Sequence, residues 1–261
     1  MLWAQRSNGS RGWRGLRRTR AQSRFECWRI PSDEGQNVDA KRKLRSAGTR
    51  SARKPASAGA VAANGRARQA TVERKTRETE IRVALRLDGK GQGDIHTGVP
   101  FLDHMLQSFA RHGFFDLKIE ASGDINIDDH HTVEDVGIVL GRAFRQALGD
   151  RSGIKRFGSA KVPLDEALCE AVVDISGRPY LAYNLAFKHE RVGSFQTELV
   201  HDFVKALSDE VGMNLHLNLT SGRNPHHIIE AAFKSLARAM DQATSPEPRV
   251  AGALSTKGTL A

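Results

Sequence analysis

The sequence predicts an α+β fold with an internal duplication of two similar sheet-plus-two-helix units packed together. The first observation is a repeated motif, in which two adjacent histidines are followed by a glutamate at one fixed distance, as HHTVE at 130–134 and as HHIIE at 226–230. The second is that each copy opens an apolar helical pattern and follows a strand-like segment. The two halves repeat with a period of about 97 residues.

The elements of the first half follow from their apolar spacing. Residues 81–87 alternate apolar and polar side chains, which predicts a half-buried strand. Residues 100–111 predict a helix with a proline in its first turn, where a missing N–H is tolerated. Residues 115–121 predict a strand, and residues 133–148 carry a helical apolar stripe that ends at Gly149.

The second half shows the same order of elements. It predicts strands around 160–175 and 180–187, a helix near 196–210, a strand at 213–219 and a helix at 226–243. When His104 is aligned with Asp202, the strand residues Leu117 and Leu215 both follow thirteen residues later. His104 and Asp202 are therefore pseudo-equivalent, and each unit is predicted to be a sheet with helices on one face.

Residues 1–70 differ from the rest of the chain in composition. They hold 17 Lys and Arg against four acidic residues, a net charge of +13, whereas residues 71–261 carry a net −3. A basic segment without apolar periodicity is predicted to be a disordered leader, either a transit peptide or the product of an over-long start assignment, so that its deletion leaves turnover and stability unchanged. The remainder divides into a first repeat at 71–158, a second at 159–245 and a C-terminal tail at 246–261.

The composition also limits which binding partners and which cellular location are expected. The folded part has no basic excess, so the isoelectric point near 10 does not indicate nucleic-acid binding. The sequence has no 18-residue apolar run and no secretory signal, so no membrane partner is expected. Cys27 and Cys169 are too few for a disulfide scaffold, which fits a reducing compartment. A cytoplasmic location is expected, with a plastid as the alternative if residues 1–70 are a transit peptide.

The repeated motif indicates metal chemistry. On a helix the first histidine and the glutamate share a face, whereas the second histidine points about 100° away, so one helix start can offer ligands to two different ions. Imidazole and carboxylate donors without thiolates suit Mn, Fe, Co, Ni or Zn in open sites. Asp202 is the candidate ligand where the first half uses His104, and His201 competes with it from one position out of register. A solvated surface cluster is the alternative interpretation of a single copy.

Four cations could hold a phosphate group. Lys234 is the best candidate, because it follows Glu230 by four residues and shares its helix face. The other three are each equally compatible with an ordinary solvated surface charge, namely Arg156, Arg178 and Lys257.

The segments FLDHM, DDHHTVED, PLDEA, DISGRPY, NPHHIIEAAFK and STKG resemble the imidazoleglycerol-phosphate dehydratase family of histidine biosynthesis, from about Arg74 to Gly258. The resemblance implies a manganese enzyme with two Mn²⁺ per subunit that removes water from imidazole glycerol 3-phosphate to give imidazole acetol phosphate. It also implies a duplicated α+β fold that assembles into a homo-oligomeric shell of 24 subunits, with metal sites shared between subunits.

The resemblance also assigns roles to residues, carried over by motif. It implies metal ligands at His104, His130, His131, Glu134, His226, His227 and Glu230. The eighth ligand in the family is commonly a histidine where this chain has Asp202, and a carboxylate can fill that position. Substrate contacts are implied at the five histidine ligands and at Glu78, His112, Arg156, Arg178, Lys234, Ser255 and Lys257, which makes residues 246–261 a substrate-binding tail. Catalytic roles are implied for Glu78, His112, Glu134 and Glu230.

The chemistry agrees with such a reaction. The proton to be removed is not next to a carbonyl, but metal binding to the substrate imidazole would favour its deprotonated form, which can expel hydroxide from the adjoining carbon. Glu78 is the predicted base, with an exposed glutamate at a strand edge as the alternative interpretation. Two other classes of protein stay open, a dinuclear metallophosphatase and a non-catalytic metal-binding protein.

Overall fold

The computed structural model describes residues 67–260, so the predictions for residues 1–66 lie outside the described residues. The first unit contains β1 (Gln69–Lys75), β2 (Thr79–Arg86), β3 (Gly93–His96), α1 (Pro100–Gly113), β4 (Asp116–Gly123) and α2 (His130–Leu148). The second unit contains β5 (Phe157–Leu164), β6 (Ala167–Asp174), β7 (Tyr180–Asn184), β8 (Arg191–Val192), β9 (Phe195–Gln196), α3 (Leu199–Val211), β10 (Asn214–Ser221) and α4 (Pro225–Thr244).

The two units have the same sheet topology. The strand order is β1-β2-β4-β3 in one sheet and β5-β6-β10-β7 in the other. In both sheets the last pair is parallel and the other pairs are antiparallel. The short hairpin β8-β9 occurs between β7 and α3 and has no counterpart in the described part of the first unit. The predicted α+β duplication is confirmed.

The helices connect the two units. Helices α2 and α4 pack on the first two strands of their own sheets, α2 also packs against α3, and α1 packs against α4. Each of these helix pairs therefore joins one repeat to the other around a continuous apolar core. Gly137 allows a close approach of α2 to α3, because a Cβ there would lie 2.8 Å from the carbonyl oxygen of Phe203. These contacts bring the motif helices against the helices that carry His104 and Asp202.

Several strands were not predicted from the sequence. The segment predicted as one strand around 160–175 is the hairpin β5-β6, and strands β1 and β3 were not predicted. In strand β1 only Ala70 is buried and only Val72 is otherwise apolar, so the strand carries too few apolar residues to give a clear pattern. Among the described residues, no helix combines the length and the apolar character needed to cross a membrane.

The predicted leader boundary at residue 70 falls inside strand β1. Gln69 and Ala70 pair with Arg86 and Leu85 of β2, and the Arg68 guanidinium forms a largely buried salt bridge with Asp88. The Arg68 Nε donates to an Asp88 carboxylate oxygen at 2.8 Å, and the guanidinium also donates to the Thr244 carbonyl oxygen. The described fold therefore includes residues 68–70, so the effect of deleting these three residues is a separate question from the effect of deleting the preceding segment.

A truncated chain that starts at Thr71 is expected to be less stable than one that starts at Ala67. The shorter chain loses the Arg68 guanidinium and leaves the Asp88 carboxylate without its partner, at a cost of about 2 kcal/mol. Thermal denaturation should show a midpoint lower by roughly 4–8 °C. Equal midpoints for the two truncated chains would show that this ion pair and the first two residues of β1 do not stabilise the fold.

Candidate active site

Helices α1 and α4 bring three of the predicted ligands together. His104 Nε2 and His226 Nε2 each lie 3.3 Å from the same carboxylate oxygen of Glu230. The ligand atoms of these three residues lie within 4.8 Å of one another. The start of α4 is set by Asn224, whose side chain accepts a hydrogen bond from the backbone N–H of His226 at 2.9 Å. We call this set of residues, His104, His226 and Glu230, the α1–α4 cluster.

Lys234 lies beside the α1–α4 cluster, as its spacing predicted. Its Nζ donates to Glu230 Oε1 at 2.9 Å, whereas Glu230 Oε2 faces the two imidazoles. Burial would raise the pKa of Glu230, but Lys234 and His104 outweigh it and hold the pKa below its ordinary value. Burial and the nearby Lys234 ammonium lower the pKa of His112. His112 therefore favours its neutral form next to this cluster.

The equivalent helix pair, α2 with α3, brings together the first histidine and Asp202. The distance from His130 Nδ1 to Asp202 Oδ2 is 3.4 Å, and Glu134 stands exposed one helical turn after His130. His201 lies on the other side of Asp202, with its Nδ1 3.3 Å from Asp202 Oδ1. We call the set His130, Glu134 and Asp202 the α2–α3 cluster. It is more open, since in the part of the chain described only the α1–α4 cluster gathers three ligand atoms within 4.8 Å.

The second histidines of both motifs, His131 and His227, turn away from these clusters. His131 Nδ1 lies 3.1 Å from an Asp124 oxygen and 3.9 Å from a Glu78 oxygen. His227 Nδ1 lies 2.7 Å from Glu166 Oε2. Hydrogen bonds to Asp124 and to Glu166 raise the pKa of His131 and of His227 above the ordinary value. Each motif thus presents imidazoles in two directions, toward a neighbouring helix and toward a β-hairpin of its own unit.

Glu78 and Glu166 occupy equivalent hairpin turns but differ in their surroundings. Glu166, in the β5-β6 turn, accepts hydrogen bonds from His227 and from the backbone N–H groups of Asn224 and Arg223, which lower its pKa to about 2. Glu78 lies at the β1-β2 turn, its side chain is 57% exposed, and the contact with His131 is long. Glu166 is therefore fixed, whereas Glu78 is accessible.

Sequence reasoning missed Asp124 and Glu166 as partners of the second histidines. Asp124 follows strand β4 and Glu166 lies between β5 and β6, so neither belongs to a repeated motif. The sequence offered no signal for this role, because the equivalence of the two hairpin turns, which pairs Glu166 with Glu78, is seen only in the sheet topology.

The remaining predicted phosphate-binding residues lie at the far end of α4. Arg156 donates through its backbone N–H to the Ala243 carbonyl oxygen, thirteen residues after Glu230 and roughly 20 Å away along the helix. Its guanidinium forms two hydrogen bonds with Asp174, at 2.6 and 3.0 Å, and donates to the Leu254 carbonyl oxygen at 2.6 Å. Arg156 thereby anchors the C-terminal tail. The other predicted phosphate-binding residues near the C-terminal end of α4 are Arg178, Ser255 and Lys257.

One chain does not bring all the predicted site residues together. The α1–α4 cluster gathers with Lys234 and His112, and the α2–α3 cluster forms separately. The second histidines face the hairpins, and the Arg156 group is distant from the α1–α4 cluster. Convergent imidazole and carboxylate donors without a thiolate define a duplicated α+β protein with clusters that fit a divalent metal ion.

Comparison with known proteins identifies the family. The pattern of the imidazoleglycerol-phosphate dehydratase family matches residues 97–240. The imidazoleglycerol-phosphate dehydratase of Pelobacter propionicus is 60% identical over 193 residues, which cover 74% of this chain and 99% of that protein. That of Geobacillus kaustophilus is 55% identical over 194 residues, covering 74% of this chain and all of that protein.

Two solved structures agree with this result. The imidazoleglycerol-phosphate dehydratase of Staphylococcus aureus has 39% sequence identity and a TM-score of 0.63, over 68% of this chain and 99% of that one. The enzyme from Pyrococcus furiosus, solved in complex with a ligand, has 39% identity and a TM-score of 0.64, over 72% of this chain and all of that one. The chain belongs to the imidazoleglycerol-phosphate dehydratase family of histidine biosynthesis, and it is an enzyme of the hydro-lyase class.

Proposed function

We propose that this enzyme removes water from D-erythro-imidazole glycerol 3-phosphate to give imidazole acetol phosphate, and that it does so with two Mn²⁺ per chain. The observation that carries the proposal is the α1–α4 cluster, in which two imidazoles from different repeats converge on one carboxylate oxygen. Its donor set fits Mn²⁺, and the relatives carry the name of this dehydratase. The α2–α3 cluster would hold the second ion, with Asp202 as its carboxylate from α3.

We further propose that each complete site is shared between chains of a large homo-oligomer, for which 24 subunits are expected. The second histidines point away from both clusters of their own chain, which supports a role for them in a site shared with another chain. Phosphate-binding Arg156, Arg178, Ser255 and Lys257 would likewise act on a substrate held by ligands of another chain. Arg178 and Lys257 are exposed and form no ion pair among the described residues, so their charges are available to an anion.

The side chains support separate roles in the proposed reaction. Bound manganese would supply Lewis acidity that favours the deprotonated substrate imidazole. Glu78 would accept the proton from the substrate carbon next to the one that loses hydroxide, because its exposed carboxylate is within reach of an incoming molecule. Loss of that proton and of the hydroxide gives an enol, which becomes the ketone. Neutral His112 would lie near the substrate, and Lys234 fixes the orientation of Glu230.

The direct test is to incubate the purified protein with Mn²⁺ and imidazole glycerol phosphate. The expected product is the ketone imidazole acetol phosphate. Release of inorganic phosphate without the ketone would instead support a dinuclear metallophosphatase, and metal binding without turnover would support a non-catalytic metal-binding protein. We propose a cytoplasmic location, because buried Cys169 is a free thiol and the relatives are bacterial biosynthetic enzymes.

Metal affinity is expected to fall as the pH is lowered. Ligand histidines must be neutral to bind metal, and the carboxylates beside His131 and His227 raise the pKa values of these imidazoles. Raised pKa values mean that protons begin to compete at a pH above 6.5, so affinity should decline from pH 8 and activity should collapse below about pH 6. Elemental analysis of dialysed protein at pH 8, 7 and 6 measures this. Two ions retained per chain at all three values would contradict it.

A further inference from the structure

The two clusters differ at one equivalent position. The α1–α4 cluster offers two imidazoles and one carboxylate, because α1 contributes His104. The α2–α3 cluster offers one imidazole and two carboxylates, because the equivalent position on α3 carries Asp202, whose Oδ2 faces His130 at 3.4 Å. The duplication therefore places the two clusters at equivalent helix pairs but changes a nitrogen donor into an oxygen donor.

A second difference lies in the charge around the clusters. Lys234 forms an ion pair with the carboxylate of the α1–α4 cluster, at 2.9 Å from Glu230 Oε1. On α2 the position four residues after Glu134 is Ile138, so this cation has no counterpart there. With its lysine the first cluster is formally neutral, whereas the α2–α3 cluster carries two negative charges. Because of both differences, the α2–α3 cluster offers more oxygen donors and carries more negative charge than the α1–α4 cluster.

We infer that the two metal sites of this chain have different metal preferences, an inference that rests on the proposed two-metal function. Carboxylate-rich sites suit Mn²⁺ and Mg²⁺, whereas imidazole suits Zn²⁺, Ni²⁺ and Fe²⁺. Zn²⁺ binds N/O sites more tightly than Mn²⁺, but this advantage is smaller at the α2–α3 cluster than at the α1–α4 cluster. When free Mn²⁺ is in sufficient excess over free Zn²⁺, the chain holds Zn²⁺ at the α1–α4 cluster and Mn²⁺ at the α2–α3 cluster.

Asp202, and not His201, is the metal-facing residue of α3 in this arrangement. The two oxygens of Asp202 are divided, with Oδ2 toward His130 and Oδ1 toward His201 Nδ1 at 3.3 Å. The His201 ring packs edge-on against Tyr183 at a centroid distance of 5.1 Å. His201 is thus a positioning residue that holds the carboxylate, in the way that outer partners orient metal ligands.

The test is equilibrium dialysis of the assembled, metal-loaded protein against buffers that contain a fixed excess of free Mn²⁺ and a graded series of free Zn²⁺ concentrations. Bound metals are counted by elemental analysis, and Mn²⁺ is followed by electron paramagnetic resonance. In an intermediate range of free Zn²⁺, the wild type is expected to retain close to one ion of each kind per chain. Asp202→His should replace most of the Mn²⁺ by Zn²⁺, with a fall in bound Mn²⁺ of about tenfold. The reciprocal variant His104→Asp should hold Mn²⁺ at both sites.

His201→Gln is the matched control on the same helix turn. It should weaken Mn²⁺ and Zn²⁺ binding at the α2–α3 cluster alike, by about 10- to 100-fold, so the ratio of the two ions bound there stays that of the wild type. Loss of the Mn²⁺ site in His201→Gln together with its retention in Asp202→Asn would overturn the assignment of Asp202. Two ions per chain with the same preference at both sites would overturn the inference alone. Fewer than two ions per chain in active protein would overturn the two-metal proposal as well.

Discussion

Replacing Glu78 by glutamine is expected to lower kcat by about 100- to 10,000-fold, the range that a general base contributes. The carboxylate proposed to accept the proton is lost, whereas the shape of the side chain is kept. Glu78 is exposed and only loosely in contact with His131, so the fold and the metal clusters should be preserved. Steady-state kinetics, with elemental analysis of the same samples, would show low turnover in protein that still binds two ions per chain.

The pseudo-equivalent variant Glu166→Gln is the control for this prediction. Glu166 is held by His227 and by two backbone N–H groups, so it orients an imidazole and is not available to a substrate. Its substitution should weaken metal binding, and added Mn²⁺ should restore part of the turnover. The assignment of Glu78 as the base would fail if Glu78→Gln were rescued by Mn²⁺ in the same way, or if Glu78→Gln kept wild-type kcat.

The helices and the duplication could be predicted because their signals are local. Helix α4 has a proline in its first turn, a capping Asn224 and a complete apolar stripe, and it begins and ends within one residue of the prediction. The HHxxE spacing fixes which ligands share a helix face without any knowledge of the tertiary fold. The predicted neighbours Lys234 and Glu230 are in contact for the same reason, since they are one turn apart on one helix.

The parts that could not be predicted depend on contacts between distant segments. Glu78 and Glu166 are 88 positions apart, whereas His104 and Asp202 are 98 apart, so a constant repeat offset does not align the two hairpin turns. The difference arises from the longer β6-to-α3 connection, which contains the β8-β9 hairpin. Likewise, no local pattern shows that Arg156 is paired with Asp174, far from the metal clusters.

Removal of the metal ions is expected to break the oligomer apart as well as to abolish turnover. Each HHxxE motif directs its second histidine away from the cluster of its own chain, so under the proposed arrangement a metal ion bound by both kinds of ligand would join two chains. Treatment with a chelator at pH 8 should therefore reduce the particle mass from that of the full shell to that of small oligomers. Light scattering measures the mass, and readdition of Mn²⁺ should restore both mass and turnover.

The double variant His131→Ala, His227→Ala separates this effect from any direct action of the chelator. It keeps the α1–α4 and α2–α3 clusters of each chain but removes the imidazoles that would reach a neighbour. It should resemble the chelated protein in mass even when Mn²⁺ is present. The single variant His201→Gln removes an imidazole that does not face another chain in this scheme, and it should keep the full mass. A double variant that assembled fully, together with a chelated wild type that kept its mass, would show that contacts other than metal ions hold the subunits together.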